Sequence, residues 1–309
     1  SPAATAAWLG PHPPPPGDPA RLHLEQLARR TGGPVPCGLP ITVFERAWVL
    51  SAFARNELPV RPPTKLLFSL DRALGPHGAA GGAGLPPDAD STSAALFALA
   101  RAGWFRSAEC LREFELDTHF CTWPGEQGMS PSVNAHVLEA MGSLGGHGGT
   151  VRKVAGWLRA RQHDDGSWSD RWHASPYYAT ATCVHALHRF DPAASRASIE
   201  RATSWLCRSQ REDGSWGRFT GTAEETGYAL QALLTCPPED GHLSGRPWRM
   251  VVEDGRDFLH RHAQQPTEHP ALWHDKDLYR PSAIITAELL GVTHRFRTGR
   301  QLTSPHENE

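Results

Sequence analysis

The sequence predicts an all-α fold, made of helical hairpins that close into an α/α barrel with one apolar mouth. Three observations carry this. Apolar residues recur at three- and four-residue spacing through most of the chain, the signature of one-sided helices. Few runs alternate as a strand would. A Gln-to-Trp turn occurs twice, 48 residues apart: Gln162-His163-Asp164-Asp165-Gly166-Ser167-Trp168 and Gln210-Arg211-Glu212-Asp213-Gly214-Ser215-Trp216. Each copy follows a helix ending in Trp-Leu, at Trp157-Leu158 and at Trp205-Leu206. A period of that size with two helices per unit indicates a hairpin array.

The first residues, Ser1-Pro2-Ala3-Ala4-Thr5-Ala6-Ala7-Trp8-Leu9, already read as helix. A Pro-rich loop follows at 11–19. Residues 22–30 and 42–56 carry apolar side chains at helical spacing. The Gly-, Ala- and Pro-rich stretch 75–87 reads as a linker and domain boundary. Helices are then expected over 92–104, 132–141, 151–162, 179–190, 198–210, 224–234, 251–262 and 282–291, with Gly, Pro and Asp-Gly turns between them. The polar tail from about residue 293 is expected to be loose. In each Gln-to-Trp turn, the Gln amide is expected to cap backbone groups and the indole to stack beside it.

Composition bounds the function. The 309 residues suffice for one large domain or two modest ones. A formal charge of -2 and the lack of a basic stripe argue against nucleic acid as a partner. No apolar run reaches the length of a membrane span. The cysteines Cys37, Cys110, Cys121, Cys183, Cys207 and Cys236 form no C-x-x-C pair and read as reduced thiols of a cytoplasmic protein. The chain opens without Met or a signal-like segment, so part of the natural protein is expected upstream.

The chemistry centres on Pro87-Asp88-Ala89-Asp90-Ser91-Thr92-Ser93, two carboxylates two residues apart at the start of an apolar helix. Alone, Asp-x-Asp is a weak signal. Its bland reading is an N-cap, with Asp90 or Ser91 opening the helix. Its chemical reading is a buried acid, because burial disfavours the charged form and keeps the proton on.

The Gln/Trp repeat, the Asp-x-Asp helix start and the segment Leu39-Pro40-Ile41-Thr42-Val43-Phe44-Glu45-Arg46-Ala47-Trp48 together resemble class II terpene cyclases, in particular bacterial enzymes that cyclise linear isoprenoid diphosphates. Further matching stretches are Ser130-Pro131-Ser132-Val133-Asn134-Ala135-His136, Trp172-His173-Ala174-Ser175-Pro176-Tyr177-Tyr178 and Leu272-Trp273-His274-Asp275-Lys276-Asp277-Leu278-Tyr279. The resemblance implies a double α-barrel of γ and β domains. Residues 1–78 would be the later part of γ and residues 79–309 most of β, the first part of γ being a missing N-terminal segment of the same protein.

It also implies roles. Asp90 would protonate the terminal alkene, with Asp88 as its partner. Ser91 stands where the family motif has a third acid, a replacement that resembles drimenyl diphosphate synthases and leans toward farnesyl over geranylgeranyl diphosphate. Trp172, Tyr177 and Tyr178 would offer π faces to a carbocation, with Trp104 and Trp123 as weaker candidates. Lys276, assisted by Arg280, would contact the diphosphate. Cys37 stands where plant relatives have an Asn that helps hold the deprotonating water; packing is its bland reading. Asn134, His136 and His173 would orient water or diphosphate, or serve as structural groups. Mg2+ is the implied cofactor, its ligands upstream of Ser1. The 309 residues alone are expected to be inactive.

Two other enzymatic readings exist. A protein prenyltransferase β-like barrel would need a Zn2+ site, and Cys183 and His185, two residues apart, point to different helix faces. A glycosidase would need a wider carboxylate separation than Asp88 and Asp90 offer. A non-enzymatic barrel that binds isoprenoid diphosphate is the third alternative.

Overall fold

The computed structural model of the chain describes residues 2–10, 12, 14–31, 41–126, 128–238, 242–243, 245–264, 270–274 and 278–298. Its helices are α1 (Pro2–Leu9), α2 (Pro19–Thr31), α3 (Thr42–Arg55), α4 (Thr64–Ala73), α5 (Ala89–Arg101), α6 (Pro131–Leu144), α7 (Gly148–Ala160), α8 (Pro176–Phe190), α9 (Pro192–Arg208), α10 (Ala223–Thr235), α11 (Trp248–Gln264) and α12 (Ser282–Thr298). A 3₁₀ helix spans Glu109–Phe114. Two antiparallel ribbons complete it: β1 (His242–Leu243) with β2 (Arg246–Pro247), and β3 (Trp273–His274) with β4 (Leu278–Tyr279).

Six helices form a ring. α3, α5, α6, α8, α10 and α12 pack side by side in that order, and α12 returns to α3. Their sequences explain the position. Every residue from 91 to 100 of α5 is buried, as is every residue from 223 to 233 of α10. A helix hidden on all sides belongs to an interior. α4, α7, α9 and α11 lie outside, α7 on α6, α9 on α8 and α11 on α10. These are one-sided: α7 buries only Val154, Ala155, Trp157 and Leu158, and α11 only Val251, Val252 and Gly255. α3 is packed as part of this ring, although it precedes residue 79.

The Gln-to-Trp turns staple outer helices to one another. The indole N–H of Trp168 donates to the Leu158 carbonyl at 2.8 Å, and that of Trp216 to Leu206 at 2.7 Å. These carbonyls belong to the last turn of α7 and α9, where the regular helical partners run out; Leu158 O also accepts from Arg161 N and Leu206 O from Ser209 Oγ, each at 3.1 Å. Gln162 Nε2 donates to the carbonyls of Gly166 and of Ser198 in the next outer helix, both at 2.8 Å. Gln210 Nε2 repeats this with Gly214 at 3.0 Å and Val251 at 2.8 Å. The expected division of labour is thus revised: the indole caps the helix end, and the amide ties the turn to the following helix. Gly166 and Gly214 adopt φ of 99° and 86°, and a Cβ there would meet the Arg201 or Asp254 carbonyl oxygen at 2.4 Å.

Other expectations need correction. Residues 75–87 pack as a strap against the barrel. Gly81 O accepts from the Val43 and Phe44 amides, and Ala79 pairs with Asp88. Buried Thr92 secures this strap, its Oγ1 accepting from Ala79 N at 2.8 Å. The tail also enters the fold, because α12 continues through Thr298 and buries Arg295. α4 and the 3₁₀ turn fall outside the helices expected from the sequence. Among the described residues, no helix is long and apolar enough to cross a membrane, and Cys110, Cys121, Cys183, Cys207 and Cys236 are free thiols.

Candidate active site

The ring helices run the same way, so their N-termini share one end of the barrel. There, a cavity of about 210 Å³ opens between the 75–88 strap, α3, α5, α8 and the β3–β4 ribbon. Asp88, Asp90 and Ser91 line it together with Phe44, Trp123, Trp172, Tyr178, Trp273 and Tyr279. Two acids therefore face a wall made largely of aromatic rings.

The acids have different settings. Asp88 is the N-cap of α5: its Oδ1 accepts from Ser91 N at 2.6 Å. The cap expected at Asp90 or Ser91 therefore falls on Asp88, whose backbone is extended, as capping geometry requires. Burial pushes the Asp88 carboxyl up to about 7, opposed by the Ser91 amide and reinforced by the charge of Asp90.

Asp90 lies one residue inside the helix, its side chain 14% exposed, with Oδ1 2.6 Å from His136 Nδ1. His136 is buried on α6 with its ring edge-on to Trp48, centroids 5.1 Å apart. Ser130 caps α6, and Asp170 accepts from Ser130 Oγ at 2.6 Å and from Ser132 N at 3.1 Å. Asp170 Oδ2 also accepts from Trp172 N at 2.9 Å. One carboxylate thus holds the helix that carries His136 and the loop that carries Trp172.

The other candidates separate by position. Tyr178 lines the cavity and accepts from Trp48 Nε1 at 3.3 Å. Tyr177 does not line it; it packs on Trp205 of α9, centroids 4.9 Å apart. Successive helix positions lie on different faces, so the pair divides. Trp172 lines the cavity beneath the Arg171 guanidinium and meets Trp123 edge-on at 5.2 Å. Trp104 lies elsewhere, beside Leu58, Pro59 and Arg101. Arg280 is exposed and acts on His262, which it helps hold below its ordinary range after burial. Lys276 and Cys37 lie outside the described residues. Asn134 is structural here, bonding both the amide and the carbonyl of Phe120. His173 lies behind the aromatic wall, stacked on Tyr178 at 4.6 Å.

Sequence reasoning passed over Phe44, Trp273 and Tyr279 as lining residues. The signal was present: all three fall in the stretches that carry the family resemblance. Among the described residues, no group of three or more His, Cys, Asp or Glu is arranged to hold a metal ion. Cys183 and His185 make no shared site either; the thiol faces the Pro131 carbonyl and the imidazole faces Thr235.

With this geometry in hand, similarity to known proteins becomes informative. Residues 127–238 match the family described as squalene-hopene cyclase C-terminal domain. The ent-copalyl diphosphate synthase of Streptomyces sp. strain KO-3988 is 44% identical over 300 residues, spanning 94% of this chain and 57% of that protein. The labda-7,13-dienyl diphosphate synthase of Streptomyces clavuligerus is 40% identical, over 99% of this chain and 56% of its own length. Over nearly its whole length the chain is similar to class II terpene cyclases. The solved ent-copalyl diphosphate synthase from Streptomyces platensis superposes with a TM-score of 0.82 at 43% identity, covering 95% of this chain and 58% of that one. The chain thus spans a little over half the length of these relatives, and its helical ring is that of their double-barrel fold.

Proposed function

We propose that the cavity carries out protonation-initiated cyclisation of a linear isoprenoid diphosphate, with the diphosphate retained. The observation that carries this is the Asp90–His136 contact at the mouth of an aromatic cavity. With His136 Nδ1–H donating to Oδ1, the transferable proton of neutral Asp90 resides on Oδ2. That proton passes to the terminal alkene carbon, ring-closing C–C bonds form, and a proton lost from the resulting cation ends the sequence. Protons gained and lost balance, so the net change is an isomerisation. The faces of Phe44, Trp172, Tyr178 and Trp273 offer negative quadrupole to the cation without a nucleophile. Asp88, carrying its proton below about pH 7, places a neutral neighbour beside the donor.

Geranylgeranyl diphosphate is the favoured substrate, because the similar chains are named for copalyl and labdadienyl diphosphates. A farnesyl substrate giving a drimane skeleton is the second reading, and Ser91 in place of a third acid favours it. Lys276 and Arg280 as diphosphate contacts, Cys37 as a substrate-binding residue, Mg2+ as cofactor and a cytoplasmic setting belong to the same proposal. So do the γ/β division near residue 78 and a further N-terminal segment that completes the cavity wall.

The test is incubation of the chain, alone and joined to such a segment, with Mg2+ and either farnesyl or geranylgeranyl diphosphate, then dephosphorylation and GC-MS. A bicyclic alcohol absent from Asp90→Ala supports the reading, and the better substrate decides chain length. Turnover that survives Asp90→Ala overturns it. Turnover by the chain alone removes the need for the added segment.

A further inference from the structure

Behind the aromatic wall lies a carboxylate that no step above uses. Glu224, at the start of α10, is 2% exposed. Three donors converge on its Oε1: Trp273 Nε1 at 2.7 Å, His173 Nε2 at 3.2 Å and the Tyr228 hydroxyl at 3.3 Å. Its Oε2 has no hydrogen-bond partner among the described residues. A buried acid does not collect three donors by chance; an unpaired carboxylate in an apolar interior is costly unless such bonds hold it.

The partners explain the arrangement. Ser175 N donates to His173 Nδ1 at 3.0 Å. Nδ1 is therefore a bare acceptor, and His173 is the neutral tautomer with its proton on Nε2, aimed at Glu224. Trp273 is the hub of the wall: its ring lies 4.9 Å from Tyr178, 5.0 Å from His173 and 5.8 Å from Phe44. The strand that bears it is held at the backbone by the His173–Trp273 bridge, Ala174 N to Leu272 O and His274 N to Trp172 O. These bonds fix the strand. The indole's orientation about its own side-chain torsions is fixed by Glu224.

We propose that Glu224 is a positioning residue, which orients the Trp273 indole in the cavity wall and, by accepting its N–H with a carboxylate, enriches the π face turned to the substrate. A charge-assisted acceptor is roughly twice as strong as a neutral one. Electron density drawn toward the ring strengthens its attraction for a cation. The role in catalysis rests on the cyclase reading above; the role in orientation does not.

Two measurements on the 309-residue chain and its extended form separate these. In ¹H–¹⁵N spectra of the chain, the Trp273 indole resonance is identified by its loss in Trp273→Phe. It is expected to move upfield in Glu224→Gln, which preserves shape and removes charge, and to broaden or shift further in Glu224→Leu. An unchanged Trp273 resonance in both variants overturns the proposal, whether or not the protein turns over substrate. In the GC-MS assay with geranylgeranyl diphosphate, Glu224→Gln is expected to lower kcat roughly tenfold with KM little changed, and to alter the product ratio. Wild-type kcat and products in Glu224→Gln overturn the polarising role. Absence of turnover in the wild type instead defeats the cyclase reading, and the indole resonance still decides orientation.

Discussion

The two ends of the helical ring bury acids in opposite ways. At the C-terminal end, Glu139 receives a bidentate pair from Arg55, at 2.7 and 2.8 Å. Glu288 accepts from Gln231 Nε2 at 2.7 Å and lies 3.7 Å from the same guanidinium. Burial alone would lower the Arg55 guanidinium, yet Glu139 and Glu288 hold it above its ordinary value. Arg295, pushed down to about 10 by burial, reaches Thr235 at 2.7 Å and the Arg55 carbonyl at 3.2 Å. Both of these buried acids have a cation or an amide. At the N-terminal end, Asp88 and Asp90 stand two residues apart, and among the described residues no Arg or Lys hydrogen-bonds either of them. Matched charge fixes a structure. Mismatched charge facing a cavity is poised for proton transfer.

The most severe way to break the contrast is at the mouth. Asp90→Asn keeps the shape of the side chain and removes its proton. Cyclisation is expected to fall by about 10²–10⁴-fold, the range that general acid catalysis supplies. The melting temperature is expected to stay near wild type, because Asp90 does not cap α5 and an Asn Oδ1 still accepts from His136. A large loss of stability with activity per folded molecule intact would reverse the roles of the two ends.

Arg55→Met tests the other end. It leaves Glu139 and Glu288 buried without their cation, and losing one partner of a buried pair costs about 3–5 kcal/mol. Denaturant melts check this. The double variant Arg55→Met/Glu139→Leu is expected to recover part of the loss, since the pair is coupled. Equal losses in the single and double variants would show that the pair contributes by packing alone.

How much of this was legible depends on sequence distance. The repeat, the ring helices and the Asp-x-Asp helix start are local patterns, and they read correctly as helical hairpins. The partner of Asp90 is 46 residues away on α6. Nothing in the spacing pairs them; packing of α5 on α6 does. Glu224 is likewise 49 residues from Trp273. Tyr177 and Tyr178 were separable in principle, because adjacent helical positions diverge and only one can face the cavity. The cap fell on Asp88 because the chain is still extended there, tied to Ala79 by the strap, a contact that a reading of 75–87 as linker does not anticipate.

A pH series sharpens the mouth further. The Asp88 carboxyl is raised to about 7 from an ordinary value of 3.8, so between those values the folded chain binds a proton that the unfolded chain releases. Its contribution to stability is full below about pH 4 and is lost as pH rises through 7. Wild type is therefore expected to lose stability between pH 5 and about 8.5 relative to Asp88→Asn, which caps a helix as well as Asp does. Parallel curves for the two proteins would place the desolvated acid elsewhere.

The smallest expected effect compares the two staples. Gln162→Leu and Gln210→Leu each delete two N–H to carbonyl bonds of nearly equal length, together with the Oε1 that accepts from Arg201 or Arg246. Both glutamines are part-buried, so water replaces some of what is lost, and each variant is expected to cost about 1 kcal/mol. The two turns share no hydrogen-bond partner, so the double variant is expected to equal the sum within roughly 0.5 kcal/mol. Equality would show that the repeat is a set of independent ties between successive outer helices. A double loss well beyond the sum would mean that α9, gripped by both staples, transmits strain from one to the other. The ring would then be held as a closed hoop, and loosening either staple would be felt at the mouth as a change in cavity shape.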